Sequence, residues 1–170
     1  MSTTWNLNSY ERELLSDVEE SGWRCVCVFD PDGNDPTICY SVGFTKTLSA
    51  PEFIIIGLDS DLMHAMLWEI FRQLQANKDF EDGTIWKGLI RDYDCVSKRV
   101  HPSNIIADHL NSAMWFWREA LQKTSALPAF QIVWPGSHGI GEGLFPWDDG
   151  CDWRVKAAQP PLYLPHRNLS

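Results

Sequence analysis

Apolar residues recur at helical spacing in three stretches of the chain and alternate or run together in six others. The first helical stretch opens at Asn8, a side chain that accepts from backbone N–H groups, with Glu11 at the position that completes a capping box. Tyr10, Leu14, Leu15 and Val18 form its apolar stripe, and Gly22 supplies a stop. A second helix is expected over about Asp61–Ala76, capped by Asp59 or Ser60. Leu62, Met63, Met66, Leu67, Ile70, Phe71 and Leu74 make its core face, and His64 and Trp68 flank it. A third runs from Ser103 to about Gln122, with Ile106, Leu110, Ala113, Met114, Trp117 and Leu121 inward.

Between the helices the period falls to that of strands. Trp23–Phe29 is apolar at odd and even positions, the pattern of a central strand covered on both faces. Dense turn chemistry, Asp30–Pro36, joins it to Thr37–Phe44 as a hairpin. There Ile38, Tyr40, Val42 and Phe44 alternate with Thr37, Cys39, Ser41 and Gly43. The second set is small and leaves room for another element or a ligand. Phe53–Leu58, Thr84–Ile90, Tyr93–Val100 and Phe130–Trp134 read as further strands, while Thr45–Ala50 and the chain after Trp147 read as loops. The expectation is one α+β domain spanning residues 1–170, with a mainly antiparallel sheet packed with about three helices.

The stretch Phe130–Trp147 draws attention as a place for function. Pro135 ends its strand. A loop with Gly136, Gly139, Gly141 and Gly143 around His138 and Glu142 follows, and Phe145-Pro146-Trp147 closes it. Two tryptophans beside prolines thus bracket a polar-tipped loop, a common setting for binding residues.

Charge and cysteine usage narrow the classes. With 14 Lys and Arg against 23 Asp and Glu, the formal charge is −9, which disfavours nucleic acid and anionic membrane surfaces and suits a basic partner. The N-terminus lacks the basic and apolar regions of a signal peptide, and the longest apolar run, Phe53–Leu58, is too short for a bilayer. The five cysteines show no framework spacing, so reduced thiols and a cytosolic setting are expected.

Chemistry-bearing patterns are sparse. Zinc-ribbon and H-E-x-x-H spacings are absent. Cys25 and Cys27 place two thiols on one strand face, and His64, His101 and His138 are scattered; no metal and no cofactor is expected. The glycines at 139, 141 and 143 do not match a phosphate loop, and Glu142 would repel phosphate. Cys39, on the small face, is expected to pack rather than react. Glu52 enters an apolar strand, where structural pairing to a backbone N–H or an arginine is expected ahead of a pocket role. Tyr40, Glu52, Gln131, Trp134, His138 and Trp147 are the candidate ligand- or partner-binding residues. Trp115, Phe116 and Trp117 are consecutive, and helical residues point about 100° apart, so at least one should reach the rim or solvent and serve a contact or homo-oligomer surface.

Tyr40-Ser41-Val42-Gly43-Phe44, Pro51–Leu58, Phe130–Pro135, Phe145-Pro146-Trp147 and Gln159-Pro160, in that order, resemble the bacterial DUF4262 family, a domain of unknown function. The resemblance covers nearly the whole chain. It implies a shared fold and surface and no established activity. The family tends to carry an acidic residue after the Trp-Pro pair and a shorter loop before Phe-Pro-Trp; here Gly136 follows Pro135 and Ser137–Gly143 is expanded. The favoured expectation is a cytosolic bacterial binding domain, in an immunity- or adaptor-like role against a protein partner. The alternative is a small-molecule-binding protein or enzyme with a pocket near Tyr40, Glu52 and Trp134. A flavin-binding split barrel ranks behind both. No reaction is assigned.

Overall fold

The computed structural model describes residues 6–137, 139 and 141–166. Six strands form one open sheet in the order β1-β2-β3-β6-β5-β4. They are β1 (Arg24–Val28), β2 (Ile38–Val42), β3 (Glu52–Ile56), β4 (Thr84–Ile90), β5 (Tyr93–Arg99) and β6 (Ala129–Val133). Every pairing is antiparallel except β3 with β6, which is parallel. That one parallel pair requires a long crossover, supplied by everything between Ile56 and Ala129. An open sheet with β1 and β4 at its edges is not a split barrel, which corrects that expectation.

The helices are α1 (Ser9–Ser21), α2 (Phe44–Thr47), α3 (Ser60–Gln75), α4 (Ala107–Trp115) and α5 (Trp153–Ala158). They cover both faces of the sheet. Met63, Met66, Leu67 and Ile70 of α3 pack on Phe53, Ile55, Trp86 and Ile132. Leu14 and Val18 of α1, with Leu110 and Ala113 of α4, pack on Tyr40, Val42, Ile54 and Ile56. The all-apolar run of β3 follows from this, because each face of its sheet meets a helix layer.

The first helix forms as its sequence requires. Asn8 and Glu11 make the reciprocal capping box, and Gly22 ends the helix in the left-handed region. Asp59 caps α3 through Asp61 N and Leu62 N. Its buried stripe is the expected one except for Leu62, which is exposed.

Other elements depart from the expectation. β1 is an edge strand rather than a central one, although both its faces are covered: Cys25 and Cys27 pack towards α3 and Val26 towards α1. Residues 44–47 form α2 rather than a loop, because Glu52 caps them from across the chain. The third helix starts later than Ser103. His101 caps a 3₁₀ turn at Pro102–Asn104, α4 follows, and Phe116–Ala120 wind as a π-helical turn. α5 arises where a loop was expected, with Asp152 capping Arg154 N. Cys27 and Cys39 stand directly opposite one another in the β1–β2 register and form a disulfide, which corrects the expectation of fully reduced thiols. Among the described residues no helix is long and apolar enough to cross a membrane.

Candidate functional site

Four of the expected site residues lie in the interior with their polar atoms satisfied. Glu52 is fully buried at the start of β3. Its carboxylate accepts from Ser41 Oγ at 2.8 Å, Gly43 N at 2.9 Å, Phe44 N at 3.0 Å, Thr45 N at 3.3 Å and Thr45 Oγ1 at 3.0 Å. It therefore caps the first turn of α2 from outside it, where helical N–H groups have no partner of their own. Burial pushes its carboxyl above the ordinary range, against the pull of the bonds from Ser41, Gly43 and Thr45. Gly43 is obligatory in this corner. Its φ is +115°, and a Cβ there would lie 2.9 Å from Gly22 O and 3.0 Å from Trp23 Cα. The small face of β2 is thus taken up by the chain itself: Cys39 by a disulfide, Ser41 by Glu52, Gly43 by the α1–β1 junction.

Tyr40 projects into the opposite core. Its hydroxyl accepts from Ser112 N at 2.9 Å, a donor freed by the break in helical geometry at Leu110, and burial raises the pKa of the phenol. Gln131 and Gln159 lash the C-terminal segment to β6. Gln131 Nε2 donates to Pro160 O at 3.0 Å and its Oε1 accepts from Leu162 N at 2.8 Å. Gln159 Oε1 accepts from Trp134 N at 3.1 Å and its Nε2 donates to Trp134 O at 2.6 Å. Trp134 is buried, with Nε1 donating to Ile56 O at 2.8 Å. The sequence motif Gln-Pro near the end is explained by these pairings.

Trp147 goes elsewhere. It is 46% exposed, stacks on Phe145 at 5.2 Å, meets Tyr163 edge-on at 5.8 Å and carries Lys98 Nζ 5.8 Å from its ring. The described residues of the glycine-rich stretch between the two indoles bond to one another and to Tyr93. Gly136 N donates to Leu144 O, Gly143 N to Gly136 O, and the Tyr93 hydroxyl lies against Ser137 O and Glu142. His138 lies outside the described residues.

The open concavities lie at a different place, where β3 and β6 begin and β5 ends. One cleft of about 430 Å³ is walled by Thr45, Ala50, Pro51, Phe80, Glu81, Arg99, Trp117, Lys123 and Phe130. A second of about 440 Å³ shares Trp117 and Lys123 with it and adds Met114, Arg118 and Leu127. A third of about 480 Å³ shares Arg99 with the first and Pro102 with the second, and includes Lys98, His101, Trp147 and Tyr163. The shared residues make these one indented surface.

Its lining combines aromatic rings with the cations Lys98, Arg99, Arg118 and Lys123 and the carboxylates Glu81 and Asp82. The Arg99 guanidinium stands 5.6 Å from the Phe130 ring and Lys123 Nζ 5.8 Å from the Trp117 ring. Lys98 is held by Asp82 at 3.2 Å. Among the described residues neither Arg99 nor Lys123 forms an ion pair. The π-helical turn sets Trp117 here: Phe116 enters the core, Trp115 and Trp117 stay half-buried, and Trp117 Nε1 donates to Ser125 O at 2.8 Å. The rim position expected for one of these aromatics is found at both tryptophans. Sequence reasoning missed Arg99 and Lys123, which lie far apart along the chain and carry no motif.

For metal ligation, the described residues hold one group of three or more His, Cys, Asp or Glu with converging donors: Cys25, Cys27 and Cys39, all within 4.8 Å of one another. His64 stands 5.9 Å from Trp23, and His101 Nδ1 bonds the Ser103 hydroxyl, so neither joins a ligand set.

A mixed sheet covered by helices on both faces, with Tyr40, Glu52, Gln131 and Trp134 inside and adjoining clefts at one end, defines an α+β protein. The sequence profile described as "Domain of unknown function (DUF4262)" matches residues 17–152, and the chain belongs to that family. Comparison with curated proteins and with solved structures finds no match for the chain.

Proposed function

We propose that the chain is a single cytosolic bacterial binding domain that acts through a protein partner, and that its recognition face is the indented surface around Arg99, Trp117 and Lys123. An adaptor- or immunity-type role is the concrete version of this reading. The observation that carries it is the gathering of cations over aromatic rings at adjoining clefts in a chain of net charge −9. Aromatic and arginine side chains supply most of the energy at protein interfaces. The global charge favours a basic partner, but the local chemistry fits a segment that presents a carboxylate beside an apolar side chain. A second reading places a small acidic molecule in the first cleft, whose volume of about 430 Å³ is in the range of ligand pockets. It moves the small-molecule alternative away from Tyr40, Glu52 and Trp134, whose side chains are occupied internally.

The test is affinity capture from the native host with the wild-type chain and with a double variant, Arg99→Glu and Trp117→Ala. The expected result is a stoichiometric protein retained by the wild type and lost by the variant. Equal recovery by both, or no recovery by either, overturns the reading.

A further inference from the structure

The β1–β2 edge carries sulfur chemistry that the recognition face does not use. Cys25 and Cys27 alternate on β1 and so share a face. Cys39 of β2 stands opposite Cys27 in register. The Cys25 and Cys27 sulfurs are 3.7 Å apart, Cys27 and Cys39 are bonded, and all three lie within 4.8 Å of one another. Ligand sulfurs on one metal ion, each about 2.3 Å from it, sit roughly 3.8–4.0 Å from one another. The Cys25–Cys27 separation already matches that spacing, and opening the Cys27–Cys39 bond on reduction frees the third sulfur of the same cluster. Because β1 is an edge strand and both Cys25 and Cys27 are only half-buried, an ion has a way in.

We propose that Cys25, Cys27 and Cys39 form a redox-gated site for a soft metal ion, copper(I), which binds when the Cys27–Cys39 disulfide is reduced. The oxidised pair and the bound ion compete for the same sulfurs. A dithiol reductant delivers two electrons and two protons to the disulfide, leaves as its own disulfide, and yields two thiols, which join the already free Cys25. Copper(I) then displaces thiol protons as its sulfur bonds form. Copper(I) is favoured over zinc because the donor set is sulfur alone and three-fold among the described residues, whereas structural zinc takes four ligands.

The competing use of three cysteines is a thiol–disulfide relay, and the geometry opposes it. Residues two apart on a strand have Cα atoms roughly 6.6 Å apart, at the far limit for a disulfide. A metal ion does not meet this obstacle, since it joins the sulfurs without a bond between them.

The experiment titrates copper(I), buffered by a chromogenic chelator, into the full chain under anaerobic conditions, once as oxidised and once after reduction with a phosphine. The reduced chain is expected to withdraw one equivalent and the oxidised chain none. Cys25→Ser should weaken retention at least tenfold with an unchanged circular dichroism spectrum, while Cys151→Ser, away from the cluster, should bind as wild type. Equal uptake by oxidised and reduced chains, wild-type retention by Cys25→Ser, or no uptake by the reduced chain overturns the site. Tighter retention of zinc than of copper(I) in a parallel titration overturns the copper assignment.

Discussion

Thr45 and Pro51 belong to the wall of the first cleft, and Glu52 lies just behind them, yet the two regions have opposite character. Behind the wall, every carboxylate oxygen of Glu52 is engaged and no water is needed. In front of it, Arg99 and Lys123 rest on aromatic faces and, among the described residues, form no ion pair, although Asp82 feels the Arg99 charge and Glu81 lines the same cleft. A buried polar group that is fully satisfied specifies the fold. A cation left beside an aromatic surface and open to solvent retains interaction energy for something else. Polar residues in an apolar setting are therefore a weak guide to function until their partners are known.

The sharpest break in that contrast comes from removing Glu52. Glu52→Ala strands three backbone N–H groups and two hydroxyls, and each buried donor without an acceptor costs about 1–3 kcal/mol, so urea unfolding should show a loss of roughly 3–5 kcal/mol. A loss below about 1 kcal/mol would mean water reaches the seam. pH adds a signature. Folding raises this carboxyl above its ordinary value of 4.5, so its contribution is complete below 4.5 and is lost as pH rises through the folded-state value. Wild-type stability measured against Glu52→Gln should accordingly decline across that window.

Gln159→Leu sharpens the same point at the other end of the sheet. It leaves both Trp134 backbone groups without their partner and should cost about 1–3 kcal/mol by thermal or urea unfolding. Arg99→Glu should do the reverse. Stability should hold within about 0.5 kcal/mol, and partner affinity should fall at least tenfold, about 1.4 kcal/mol, by calorimetry or interferometry with the captured partner. A destabilised Arg99→Glu with intact binding would erase the distinction between the two regions.

The smallest effect is expected at Asp30, an exposed counterpart of Glu52. Its carboxylate accepts from Asp32 N, Asn34 N and Asp35 N, which hold it below the ordinary carboxylate range. A depressed folded-state pKa contributes stability above the unfolded value that is lost as pH falls through the folded one. Asp30→Ala should lower the melting temperature slightly near neutral pH and not at all in acid, opposite in sign to Glu52. Three backbone donors serve each carboxylate; burial makes the difference in weight.

Local chemistry was legible in the chain. The Asn8–Glu11 box, the Gly22 stop, the Asp59 cap, the α3 stripe apart from Leu62, the ends of β4 and the start of β5 are set by neighbours within a few residues, where capping and periodicity act. The match of residues 17–152 to DUF4262 was likewise readable from short motifs in order. Glu52 was legible as a carboxylate in need of donors, but not as the cap of α2, because those donors arrive only when β2 and β3 pair. The structure keeps Tyr40 and Trp134 in cores on opposite faces of the sheet and brings neither to an open cleft.

By itself the sequence determined the six strands, α1 and α3, since those preferences depend on side-chain period and on partners a turn away, whereas α2 waited on Glu52 and α5 was not foreseen. Strand order, the edge position of β1, the meeting of Cys27 with Cys39 and the convergence of Arg99, Trp117 and Lys123 were decided only by tertiary structure. Such contacts join residues distant along the chain, and which of them form depends on the register of a mixed sheet and on how two helix layers bury both of its faces.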